Sequence, residues 1–290
     1  MIPAAFDYHR PASLEEASAL LARHGGDAKV LSGGMSLLPM LKLRIGAFAH
    51  LIDIGGIPGL EYIREEGGLL KIGGATREFM LERSEVIRAR YPLLLDTARV
   101  IADPLVRNRA TVGGNLAHGD PANDHPATML ALGASVVARG PRGERTIPIS
   151  QFFKSLFVSA LAPEEILTEI RIPAPPPRSG GAYLKLERKV GDFAAAAAAV
   201  QITLGAGGKI ERAGIGLTNA GPTPVEAKSA AQFLVGKEPD ARTFAAAARL
   251  AAEDSHPSAD QRGSVEYKRE MARVLVGRAL DKALARARGQ

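Results

Sequence analysis

The sequence predicts an α+β fold in two parts, a mixed N-terminal region of helices and strands and a C-terminal antiparallel sheet backed by helices. Three observations carry this expectation. Helical patterns with marked ends alternate with short apolar strand-like runs, two hairpin signatures recur in the first half, and the proline-rich "PAPPPRSGG" (173–181) breaks the pattern. A chain of 290 residues, 46% hydrophobic and 23% charged, has the composition of a globular protein with core enough for two ordinary domains.

The elements follow in order. "PASLEEASALLARHGG" is a helix with both ends marked: Ser13 and Glu16 form a capping box, apolar residues recur at helical spacing, and Gly25 and Gly26 stop it. "AKVLSGG" is a short strand ending in a glycine turn, "MSLLPMLKLRI" a further segment, and "HLIDI" a second strand, together a small α/β unit. "LEYIREEGGLLKIGG" and "SVVARGPRGERTIPI" read as hairpins, with helices between them from Arg77 to about Val86 and from Pro92 to about Ile101. "ILTEIRIP" adds a strand before the proline linker. Beyond it, "AYLKLER", "AAAAVQITL" and "ERAGIGLTN" read as strands, and "PVEAKSAAQFLVG", "DARTFAAAARLAAED" and "VEYKREMARVLVGRALDKALARA" as helices. "FAAAAAAV" (193–200) fits either a buried strand or a packed helix. The expected domains are 1–176, with subdomains of about 1–57 and 58–176, and 177–290.

Composition excludes several classes. The start "MIPAAFDYHRP" has no signal-peptide pattern and no apolar run approaches the ~20 residues of a membrane span, so the expected location is cytoplasmic. The chain has no cysteine, which removes disulfides, thiolate zinc sites and iron–sulfur ligation. A net charge of +6 is dispersed and accompanied by no tryptophan and no nucleic-acid motif, so no nucleic-acid partner is expected. The terminal "LDKALARARGQ" reads as a frayed basic helix end.

Two glycine turns carry the chemistry. "LSGGMS" contains Ser32, Gly33, Gly34, Met35 and Ser36, and "TVGGNL" contains Thr111, Val112, Gly113, Gly114 and Asn115. Glycine lets successive backbone N–H groups turn outward into an anion-binding nest, and two nests can hold a diphosphate. Eight adjacent glycine pairs occur in the chain, so a pair alone is weak evidence, and neither turn fits a P-loop or Rossmann fingerprint. His118, Asp120, Asp124 and His125 offer ligand atoms, but no H-E-x-x-H or paired H-x-H completes a site, and no metal is expected. One of the polar residues at 124–126 is expected to cap the following "ATMLALGA" helix. No G-x-S-x-G elbow supports a nucleophilic triad.

"FDYHRPASLEEASALL", "LSGGMSLLPMLKLR", "IADPLVRNRATVGGNLAHGDPANDHPA", "EEILTEIRIP", "KLERKVGDFAAAAAAV" and "GIGLTNAGPTP" together resemble, nearly end to end, the FAD-binding medium subunit of the molybdenum-containing hydroxylases, most closely the aerobic carbon monoxide dehydrogenase type. The resemblance implies a vanillyl-alcohol-oxidase (PCMH) type domain of two subdomains with FAD between them, followed by a carbon monoxide dehydrogenase flavoprotein-type α+β domain. It implies that residues 32–36 and 111–115 wrap the FAD diphosphate, mainly through backbone N–H groups assisted by the Ser36, Thr111 and Asn115 side chains. Ile101 is then placed against the isoalloxazine, Asp124 on ribityl or ribose hydroxyls, Leu167 near the ring system, Lys185 as a positive partner of the flavin, and Phe193 beside the ring where relatives often carry tyrosine. Met35 stands where relatives often have histidine, which implies noncovalent FAD. The absent cysteines agree with [2Fe-2S] clusters on a small partner subunit and a molybdenum cofactor on a large one, in an expected dimer of heterotrimers, with His118, Asp120 and His125 unassigned. A stand-alone FAD-dependent reductase or oxidase, and a nucleotide-binding module without redox activity, are the alternatives.

Overall fold

The computed structural model describes residues 2–289. The chain opens with β1 (Asp7–His9), α1 (Leu14–His24), β2 (Ala28–Leu31), α2 (Leu37–Lys42) and β3 (His50–Asp53). The strands form a parallel sheet in the order β1-β3-β2. Ser13 Oγ accepts the Glu16 N–H at 3.1 Å, and the Glu16 carboxylate reaches back to the Ala12 N–H at 2.8 Å, so the capping box forms with its carboxylate one residue beyond the cap. Ala17 and Leu21 on the inner face of α1 pack on Ile52 and Ile54.

There follow β4 (Ile63–Glu66), β5 (Leu69–Gly73), α3 (Glu78–Arg83), α4 (Glu85–Arg90), α5 (Pro92–Val100), α6 (Pro104–Arg107), α7 (Val112–His118), α8 (Asp124–Ala131), β6 (Ser135–Gly140), β7 (Gly143–Pro148), β8 (Phe153–Ser155), β9 (Val158–Ser159) and β10 (Ile166–Pro173). An antiparallel sheet runs β4-β5-β10-β6-β7, with β8 and β9 paired apart from it. Both expected hairpins form. Gly67 and Gly68, with φ of 60° and 74°, supply the positive dihedrals that a two-residue hairpin turn requires. The helix expected over Arg77 to Val86 is two helices, because Ser84 adopts an extended conformation, ends α3 and caps α4 by accepting the Ile87 N–H.

Residues 174–178 lead to β11 (Ser179–Leu186), β12 (Ala196–Leu204), β13 (Ile210–Thr218), β14 (Val225–Glu226), α9 (Lys228–Leu234), α10 (Ala241–Glu253) and α11 (Val265–Ala287). The sheet runs β11-β12-β13-β14, all antiparallel. The helix expected from Pro224 starts only at Lys228, since Val225 and Glu226 pair with β13.

The alanine run is strand β12, and packing on both faces explains its composition. Ala196, Ala198, Val200 and Ile202 face α10 and α11, whereas Ala197 and Ala199 face Leu93, Ala127 and Tyr183. A strand covered by helices on both sides has no polar face, and small side chains let both layers approach. Gly216 on β13 shows how close: a Cβ there would stand 2.0 Å from the Ala127 carbonyl oxygen of α8.

The expected frayed terminus is instead anchored. Helix α11 continues to Ala287, and Lys282 and Arg286 bond Asp96 on α5 at 3.0 and 2.6 Å. Among the described residues no helix is long and apolar enough to cross a membrane.

Candidate functional site

The two glycine turns meet. Ser32 Oγ and Thr111 Oγ1 lie 2.9 Å apart, joining the end of β2 to the start of α7 across 79 positions of sequence. A Cβ on Gly33 would stand 2.2 Å from the Arg109 carbonyl oxygen, so only glycine allows the turns this contact. Gly34 has φ 77°, the left-handed region that glycine tolerates.

The turns differ in what they offer a ligand. No hydrogen bond engages the N–H groups of Gly33, Gly34, Met35 or Ser36, nor the Ser36 hydroxyl, among the described residues. Residues 111–115 are instead the first turn of helix α7, which the reading of 111–116 as a turn missed. Val112 N–H donates to the Thr76 carbonyl, Gly113 N–H to the Gly74 carbonyl, Gly114 N–H to Thr111 Oγ1 and Asn115 N–H to the Thr111 carbonyl. The N–H groups of 112–115 are therefore committed to the fold, whereas that of Thr111, like those of 33–36, has no hydrogen bond among the described residues. What 111–115 does present is Asn115, whose Oδ1 is buried without a partner. The oxygen and nitrogen ends of such an amide are set by its partner.

These features suit the FAD that the resemblance implies. Free N–H groups and a hydroxyl match a diphosphate, and a buried amide oxygen lacking a partner matches a polar ligand.

A second group lies where β11, α5 and α8 converge. Asp124 Oδ1 accepts the Tyr183 hydroxyl at 2.6 Å, and Asp124 Oδ2 lies 3.0 Å from Lys185 Nζ, which also reaches the Val100 carbonyl at 3.0 Å and Glu187 at 3.4 Å. Burial pushes the Asp124 carboxyl above the usual carboxylate range against the pull of Lys185 and the Tyr183 hydroxyl, and burial followed by the Asp124 charge raises the Tyr183 phenol. The positive charge assigned to the flavin is thus shared with two carboxylates of this chain.

Ile101 adjoins this group. It is buried yet joins none of the apolar clusters, and Arg107 bonds its carbonyl at 2.8 Å. Gly191 packs against Ala102, bringing the 190–193 loop beside Ile101, with Phe193 47% exposed under the Arg262 guanidinium. The Asn123 amide donates to the Asn115 carbonyl at 3.0 Å, tying this region to α7. Leu167 stands apart, in the core beside Leu70, Val112 and Leu116. It shares that core with Val112 and Leu116 of the second glycine segment, and its carbonyl packs against Gly74, whose N–H bonds the Thr168 carbonyl.

The remaining polar residues of 118–126 sort themselves differently. No side chain caps α8; Asp124 is its first residue and turns its carboxylate to Tyr183 and Lys185. His125 lies in α8 and is fully buried 2.7 Å from Glu78. Asp120 bonds the Ala122 N–H at 2.8 Å, and the His118 ring tilts against Phe157 with 5.1 Å between centroids. Burial lowers the His118 imidazole below its ordinary range. Gly74, Arg107, Asn123 and Tyr183 were not singled out by sequence reading. For Gly74 the signal existed, a glycine pair directly after a strand.

Comparison with known proteins agrees with this arrangement. Residues 4–175 match the FAD-binding domain of molybdopterin dehydrogenases, and residues 181–283 the carbon monoxide dehydrogenase flavoprotein C-terminal domain. The chain is 45% identical over 288 residues to the carbon monoxide dehydrogenase medium chain of Afipia carboxidovorans, covering 99% of this chain and 100% of that one. It superposes on solved carbon monoxide dehydrogenase of Hydrogenophaga pseudoflava with TM-score 0.96 at 48% identity, covering 99% of each chain. On quinoline 2-oxidoreductase of Pseudomonas putida 86 the TM-score is 0.92 at 32% identity, again over 99% of each chain. With a family match over more than half its length and full-length relatives, this chain belongs to the FAD-binding medium subunits of the molybdopterin dehydrogenases.

Proposed function

We propose that this chain is the FAD-carrying electron-transfer subunit of a molybdenum hydroxylase complex of the carbon monoxide dehydrogenase type. The observation that carries the reading is the meeting of the two glycine turns through Ser32 and Thr111, with unbonded backbone donors at 33–36. Residues 32–36 bind the diphosphate, Thr111 fixes the second turn against the first, and Asn115 takes a polar group of the ligand. Ile101 and Phe193 flank the ring, Leu167 supports it from the core, and Asp124 orients a sugar hydroxyl while holding Lys185.

Bound FAD supplies the capacity to take electrons singly and release them in pairs. The chain has no cysteine to ligate a cluster, which supports a [2Fe-2S] small subunit as one partner, and the reading gives the molybdenum cofactor to a large subunit as the other. The assembly is read as a dimer of heterotrimers in the cytoplasm. Substrate is selected by the large subunit, and this chain passes electrons to an external acceptor.

The test is co-expression with a [2Fe-2S] small subunit and a molybdenum-binding large subunit of the same source, followed by flavin analysis. The expected result is one noncovalent FAD per medium chain, reduced when substrate is added and reoxidised by a quinone or dye. A folded complex that neither contains nor takes up FAD overturns the reading, and flavin mass retained on the denatured chain overturns its noncovalent attachment.

A further inference from the structure

Three of the six histidines come together far from the glycine turns. His9 ends β1, His24 ends α1 and His50 begins β3, and their ligand nitrogens all lie within 4.8 Å of one another. His9 Nε2 is 3.1 Å from His50 Nδ1, and the His24 and His50 ring centroids are 3.7 Å apart. His24 makes no side-chain hydrogen bond among the described residues, and all three are half-buried. Asp7 Oδ2 lies 3.6 Å from His50 Nδ1 on the solvent side. His50 pairs with Ala28 at the opposite end of β2 from Ser32, about 13 Å along the strand from the cradle.

We propose that His9, His24 and His50 form a binding site for a divalent transition ion of the zinc, nickel or copper class, which pins the end of α1 to the parallel sheet. Imidazole nitrogen suits these ions, and three protein ligands leave a fourth position open to water or to Asp7. Ligand nitrogens on a tetrahedral zinc stand about 3.4 Å apart at ~2.1 Å from the ion, so the widest present spacing needs to close by no more than about 1.4 Å. The ligands come from three elements, so an ion restrains tertiary structure. The same face carries Ile52 against Ala17 and Leu21, and the ion extends that apolar contact at its open edge.

The test uses untagged full-length protein with FAD bound, stripped with a chelator and titrated with Zn2+ and separately with Co2+. The expected result is one saturable site of micromolar or tighter affinity, a melting temperature raised by Zn2+, and visible d–d absorption of bound Co2+. His24→Gln, at the half-exposed end of α1, is expected to weaken binding at least tenfold, and His24→Gln with His50→Gln to abolish the thermal shift. His256→Gln, at an exposed histidine outside the cluster, is expected to bind as the parent does, with flavin content unchanged throughout. Absence of saturable binding, or His24→Gln binding as tightly as the parent, overturns the proposal.

Discussion

Lys185 Nζ lies 3.0 Å from Asp124 Oδ2, with both side chains more than nine-tenths buried. A buried pair gains little over an apolar one, but losing one partner leaves a charge uncompensated, at about 3–5 kcal/mol. Lys185→Met should therefore destabilise strongly, and adding Asp124→Asn should recover part of the loss. Urea denaturation of the two singles and the double gives the coupling. Asp124→Ala is also expected to weaken FAD retention in the fraction that folds. Unchanged affinity there would mean that Asp124 serves Lys185 and Tyr183 alone.

Asn115 exposes a conflict between stability and binding. Its buried, unpaired Oδ1 carries a desolvation penalty of about 1–3 kcal/mol, which a ligand can remove and which alanine removes outright. Asn115→Ala should raise the melting temperature of the FAD-free chain while reducing FAD affinity by tenfold or more. Calorimetry of apo protein and fluorescence titration of FAD separate the two effects. A variant that loses both stability and affinity would show that the amide supports only the fold.

The Ser32 and Thr111 contact predicts that the turns act as one unit. Gly33→Ala forces a Cβ to 2.2 Å from a backbone oxygen, which no side-chain movement relieves, so the turns must separate. Thr111→Val keeps the shape but removes both the helix cap and the bond to Ser32, at about 1 kcal/mol. The expected order of FAD affinity is parent, then Thr111→Val, then Gly33→Ala, measured by equilibrium titration. Equal affinities across the three would show that the turns bind independently.

Local signals made most elements legible. Ser13 and Glu16 mark the start of α1, and Gly67 and Gly68 the first hairpin, because those residues act within a few positions of themselves. Alanine at 194–199 left helix and strand open, since the choice rests on layers packing from both sides. Helix α7 was hidden because Gly113 and Gly114 are poor helix formers. The Thr111 cap and the contact of Gly113 with Gly74, where a Cβ would stand 2.4 Å from the carbonyl oxygen, favour it instead. In the site, residue types were visible while their commitments were not. That the Val112 and Gly113 N–H groups are spent on Thr76 and Gly74, that Lys185 is held by Asp124, and that His125 is buried on Glu78 all depend on partners 36 to 61 positions away.

Asp96 tests how the C-terminal helix is held. Its carboxylate receives Arg286 at 2.6 and 3.0 Å and Lys282 at 3.0 Å, and Arg286 also bonds the Gly181 carbonyl. Burial opposes ionisation of Asp96, but the bonds from Arg286 and Lys282 outweigh it and hold the carboxyl below its ordinary value of 3.8. A depressed carboxylate contributes stability above its unfolded value and loses it as pH falls through the folded one. Arg286→Ala should thus destabilise the chain by about 2 kcal/mol near neutral pH. Lys282→Ala should do less, because that side chain is 41% exposed and its charge is screened by solvent. The gap between parent and Arg286→Ala should stay level through the neutral range and narrow in acid, as pH falls through the Asp96 value of the variant, which burial raises, and then through the depressed one of the parent. Denaturation midpoints taken across that range check the sign, and a gap that widens in acid would show that Asp96 is not the partner through which Arg286 stabilises the chain.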